Sequence, residues 1–108
     1  MNNNHGLTKE HLEILRCVLS KYQAVIFSVG LFGSRACGIF KPYSDIDLVI
    51  FGPISTTQID KIRTTLLEGS LPFEVDLLHY EELKSEELKK HINEVYLELF
   101  NSSSLSNK

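Results

Sequence analysis

Gly33-Ser34-Arg35-Ala36-Cys37-Gly38, and shortly after it Asp45-Ile46-Asp47-Leu48-Val49-Ile50, are the two stretches on which the fold and the chemistry turn. Side chains on an extended strand alternate between faces, so Asp45 and Asp47 point the same way. Two carboxylates therefore share one patch at the end of a strand whose apolar residues fill an interior. Like charges so placed repel, and a divalent cation is the simplest relief.

Upstream, Val25 to Phe32 is rich in β-forming residues and stops at Gly33, which predicts a strand followed by a tight turn with close backbone approach. Ser34 to about Gly38 fits a short helical turn, whose first backbone N–H groups would face whatever lies beside it. Lys41-Pro42-Tyr43-Ser44 reads as a loop, Asp45 to Phe51 as the second strand, and Gly52-Pro53 as its stop. Before the first strand, Thr8 can cap a helix running to about Tyr22, with Leu12, Leu15, Leu19 and Tyr22 on one stripe. After the second, Ser55, Thr56 or Thr57 caps a helix with Ile59, Ile62 and Leu66 on one face, ended by Gly69-Ser70 and Pro72.

Phe73 to Leu78 alternates as a third strand, with Phe73, Val75 and Leu77 on one side and Glu74, Asp76 and Leu78 on the other. Leu88, Ile92, Val95 and Leu99 then recur at helical spacing and predict a last helix. Tyr96 and Phe100 form a second row on it, read either as a broad buried face or as a partner surface. The order helix, strand, short helix, strand, helix, strand, helix predicts an α/β fold, a small mixed sheet flanked by helices. One domain over 1–108 is expected, with a core from about 7 to 101 between polar, ragged ends.

Asp76 acquires meaning if its strand lies beside the one carrying Asp45 and Asp47, for then three aspartates converge. Two Mg²⁺ ions roughly 3.5–4 Å apart need such bridging carboxylates, with a nucleotide's phosphates completing their shells. The Gly33-Ser34 turn would supply backbone donors and a hydroxyl to the terminal phosphates. Arg35 either adds charge beside them or pairs with a surface carboxylate. Each piece alone is commonplace; the combination points to phosphoryl chemistry.

At these residues the chain resembles the minimal nucleotidyltransferases of the DNA polymerase beta-like superfamily, whose hallmark is Gly-Ser, a gap, Asp-x-Asp and a third carboxylate on a later strand. Leu31-Phe32-Gly33-Ser34-Arg35-Ala36 and Tyr43-Ser44-Asp45-Ile46-Asp47-Leu48 carry the likeness. It implies a nucleotidyltransferase fold, catalytic and metal-binding roles for Asp45, Asp47 and Asp76, two Mg²⁺ ions, and a nucleoside triphosphate, in first place ATP, as donor. Gly33, Ser34, Arg35 and Lys41 are its expected phosphate contacts. Cys37 stands where a second Arg is common in this family, so one positive charge near the phosphates is missing and Lys41 is the candidate to compensate.

Small members of the family are typically encoded beside a helical HEPN-type protein, and the likeness implies transfer of AMP to a hydroxyl on such a partner, held through the C-terminal helix. A homodimer is an alternative assembly. Neutralisation of the partner by binding alone, and transfer to an aminoglycoside-like small molecule, are the alternative functions.

The rest of the sequence narrows the setting. Lys plus Arg number 11 against 14 Asp plus Glu, a net charge of −3 that speaks against a general nucleic-acid surface. No apolar run approaches the ~20 residues that span a bilayer, so a cytoplasmic setting is expected. Cys17 and Cys37 read as free thiols. His5, His11 and His91 read as helix or surface decoration, while His79 is the histidine nearest the expected site.

Overall fold

A computed structural model describes residues 6–38 and 45–106. Helix α1, Lys9–Ser20, begins at a capping box in which Thr8 Oγ1 accepts from the His11 N–H and His11 Nδ1 accepts from the Thr8 N–H. His11 is thus a capping residue, and its ring also meets Phe73 edge-on, 4.9 Å between centroids. A 3₁₀ turn, Gln23–Val25, delays strand β1 to Ser28–Leu31. There follow α2 (Ser34–Cys37), β2 (Ile46–Phe51), α3 (Thr56–Leu67), β3 (Val75–His79), a second 3₁₀ turn (Tyr80–Glu82), α4 (Glu86–Val95), β4 (Leu97–Asn101) and α5 (Ser102–Ser106). Ser55 and Gln58 form the capping box of α3, and Ser85 caps α4.

The sheet is mixed and four-stranded, in the order β3-β2-β1-β4. β2 runs parallel to β3 and antiparallel to β1, and β4 runs antiparallel to β1. One face carries Val29, Leu31, Ile46, Leu48, Ile50 and Leu77 against Leu15 and Leu19 of α1, Ile59, Ile62 and Leu66 of α3, and Leu105 of α5. The other carries Phe32 and Val49 against Ile92 of α4, ringed by Phe51, Leu78, Leu88, Val95 and Tyr96. Helices thus cover both faces, and each buried Leu or Ile contributes about 1.5–3 kcal/mol.

The chain departs from the helical periodicity after Val95. Tyr96 takes up φ −55°, ψ 130°, and Leu97–Asn101 is a fourth strand where the spacing of Leu88, Ile92, Val95 and Leu99 predicts helix. The free edge of β1 decides this, since its N–H and C=O groups need partners. Gly30 makes the junction close: a Cβ there would strike the Tyr96 ring and the Leu97 carbonyl. A bulge between Val29 and Gly30 shifts the register locally.

Phe100, read on a helix row as either a buried face or a partner surface, is core but on a strand, only 8% exposed and opposite Val29. Tyr96 is half-buried, its hydroxyl 2.7 Å from Ser28 Oγ and its ring edge-on to Phe51. Burial raises its pKa. The expected ragged C-terminus is corrected too: α5 places Leu105 in the core.

Candidate active site

The aspartates gather where β2 and β3 begin. The parallel register sets Asp47 directly beside Asp76, a spacing of about 4.8 Å between strands. Asp45 precedes β2 by one residue and shares the face of Asp47. This is the α4 face, where the same two strands bury Val49 and Leu78 further along. Asp45 and Asp76 are exposed while Asp47 is half-buried. Burial, and then the charges of Asp76 and Asp45, raise the Asp47 pKa above the ordinary carboxylate value. Three carboxylates from two strands therefore share one electrostatic patch.

The Gly-Ser turn closes against the same patch. The Phe32 N–H donates to the Asp47 carbonyl at 3.0 Å, so the end of β1 is tied to the start of β2. Gly33 then turns with φ +75°, and a Cβ on it would collide with the Asp47 carboxylate. Only glycine allows both that backbone conformation and that approach. Helix α2 starts at Ser34, and the Cys37 N–H donates to the Gly33 carbonyl at 3.1 Å. The Ser34 side chain and Lys41 lie outside the described part of the structure.

Arg35 is 1% exposed, with its guanidinium 4.9 Å above the Phe73 ring. Phe73 packs against the α1–α3 core, so this arginine is held within that layer instead of lying open beside the aspartates. Burial lowers its pKa. Cys17 and Cys37 are free thiols, as expected.

His79 is corrected as a site candidate. It ends β3 at the far end from Asp76, with Nε2 2.7 Å from the Gly52 carbonyl and 3.2 Å from Glu81. There it staples the turn after β2. His91, by contrast, lies on α4 with its ring edge-on to Phe32, 6.5 Å between centroids. Its approach to the Gly33 end of the sheet had no signal in the helix periodicity, because it depends on how α4 crosses the sheet.

Among the described residues no three acidic, histidine or cysteine side chains form a ready metal cage. The donor set nevertheless suits a hard divalent cation, since Asp45, Asp47 and Asp76 offer only carboxylate oxygens, and burial together with the charges of Asp76 and Asp45 already raises the Asp47 pKa. Cations that take further oxygens from a substrate need no closed protein cage.

Comparison with known proteins agrees with this fold. Residues 12–99 match the nucleotidyltransferase domain family. A protein of Haemophilus influenzae named probable protein adenylyltransferase MntA is 33% identical over 93 residues, covering 84% of this chain and 80% of the relative. Two solved structures share the fold: a toxin–antitoxin with AMP-PNP (TM-score 0.68, 18% identity, 88% of this chain and 80% of that one) and a mutant of the toxin–antitoxin MntA-HpeT (TM-score 0.67, 16% identity, 88% and 80%). Among the described residues no helix is long and apolar enough to cross a membrane.

Proposed function

Since the chain belongs to the nucleotidyltransferase domain family, we propose that it transfers AMP from ATP to a hydroxyl on a helical protein partner, acting as the antitoxin of a toxin–antitoxin pair. The observation that carries this reading is the register of Asp47 with Asp76, beside Asp45 and under the Gly33 turn. The relative named MntA supports the adenylyl group and the protein acceptor, and the toxin–antitoxin structures support ATP as donor and a partner chain.

In this reading Asp45, Asp47 and Asp76 would hold magnesium, which when bound would neutralise charge at the phosphates and lower the pKa of an acceptor hydroxyl. The Gly33 turn and the start of α2 set backbone N–H groups against the terminal phosphates, and the sequence motif assigns the Ser34 hydroxyl to the same role. Asp76, exposed on the edge strand, takes the proton of the attacking hydroxyl. That oxygen bonds to the α-phosphorus, the bond from the α-phosphorus to the bridging oxygen breaks, and pyrophosphate leaves with the bonding electrons. Arg35 serves the fold beneath the turn through Phe73, and Lys41 is assigned to the phosphates on the sequence alone.

The test is co-incubation of the chain with the protein encoded beside its gene and ATP labelled at either the α- or the γ-phosphate. Label from the α-position alone, appearing on the partner with magnesium and removed by Asp47→Asn, is the expected result. No label in any arm while the partner is still neutralised would replace this reading with neutralisation by binding.

A further inference from the structure

We infer that His91 is a nucleotide-positioning residue, its ring N–H donating to a phosphate oxygen of the ATP held at the aspartate patch. The inference rests on the nucleotide reading above. It begins with a row across the sheet: Leu31 pairs with Leu48, so the next pair along is Phe32 with Asp47, and Asp47 pairs in turn with Asp76. Phe32, Asp47 and Asp76 are thus lateral neighbours on one face. Phe32 is the apolar end of this row and adjoins the Gly33 turn.

The path of α4 brings His91 above that end. β3 leaves the aspartates at Asp76 and finishes far from them at His79, and α4 returns over the sheet so that β4 can start at Leu97, opposite Leu31. The contact with Phe32 sets the middle of α4 over the aspartate end, while Asn93 and Tyr96 reach Tyr80 and Phe51 toward the other end. His91 sits there half-buried, one residue before the core Ile92, with its imidazole edge-on to Phe32. Neither ring nitrogen is hydrogen-bonded among the described residues, and neither is buried, so both are open to a ligand.

The electrostatic setting makes the contact useful. A triphosphate adds negative charge to three carboxylates, Arg35 is buried with its guanidinium over the Phe73 ring, and position 37 carries no basic side chain. On its own helix Glu87, Lys90 and Glu94 flank His91, and Lys89 lies over the Tyr80 ring. An imidazole N–H is a donor whichever its protonation state, so the contact needs no titration. It holds donor and transition state alike, which places its effect in KM more than in kcat.

The experiment uses the full chain, with binding of AMP-PNP in magnesium measured by calorimetry and, with the partner, the rate of transfer. His91→Phe keeps the packing on Phe32 and removes the donor; it is expected to weaken AMP-PNP binding about tenfold and raise the KM for ATP similarly, with kcat within about twofold. His91→Gln restores an N–H and is expected to stay within about threefold of the wild type. A His91→Phe chain that binds AMP-PNP as tightly as the wild type would overturn the inference. Binding without any transfer would count against the proposed transfer alone, since the His91 contact is read from binding.

Discussion

At the residue scale, Asp47 is held in a place that suits chemistry better than stability. Burial and two neighbouring carboxylates raise its pKa. A carboxyl with a raised folded-state pKa binds protons more readily in the native chain, so stability is greatest below the unfolded pKa and falls as pH rises through the folded one. Asp47→Asn is therefore expected to raise the melting temperature by a few degrees at neutral pH and to flatten its fall with rising pH in the acidic range. Thermal unfolding between pH 4 and 7 checks this, and transfer in the same variant is expected to be lost. Such opposition between stability and activity is common where like charges are gathered for function.

Gly33 is the second such residue. Gly33→Ala forces a Cβ into the left-handed region, about 1–2 kcal/mol, and against the Asp47 carboxylate. A melting shift of that size with a loss of transfer near ~100-fold is expected, because small displacements of reacting groups are costly. Both residues were legible in the sequence, since Gly-Ser and Asp-x-Asp are local patterns whose physics acts over a few residues. The burial of Arg35 over Phe73 was not, because it depends on a residue far along the chain.

At the scale of elements, the segment after Val95 shows why helical spacing can mislead. Leu88, Ile92 and Val95 do share a helix face, but Leu99 continues the pattern only by coincidence, and pairing with β1 overrides it. Tyr96 is the joint. Its hydroxyl reaches Ser28 Oγ across the sheet and its ring lies on Gly30. Tyr96→Phe is expected to cost about 1 kcal/mol in urea unfolding, the usual worth of one such bond. Gly30→Ala, which must displace that ring or the Leu97 carbonyl, is expected to accelerate hydrogen exchange at Leu97–Asn101 ahead of the rest of the sheet.

At the scale of the whole molecule, two apolar layers of unequal size support one polar end. The larger, beneath α1, α3 and α5, was largely legible as the stripes of Leu15, Leu19, Ile59, Ile62 and Leu66. Its closure by Leu105 was hidden in a polar tail, where a single leucine carries no periodicity. Leu105→Ala is expected to cost about 2–5 kcal/mol, while truncation of the exposed Leu67 to Ala changes stability by less than about 0.5 kcal/mol. Chemical denaturation of both variants checks the contrast.

The same architecture fixes the active end: antiparallel pairing brings Gly33 back to Asp47, and parallel pairing brings Asp76 alongside. That the centre is built from two strands is the central claim, and Asp76 is the residue on which it depends. The most direct measurement is magnesium-dependent transfer of label from α-labelled ATP by Asp76→Asn, with native circular dichroism confirmed in the same preparation. A fall of at least ~100-fold is expected; transfer within a few-fold of the wild type would contradict a three-carboxylate centre.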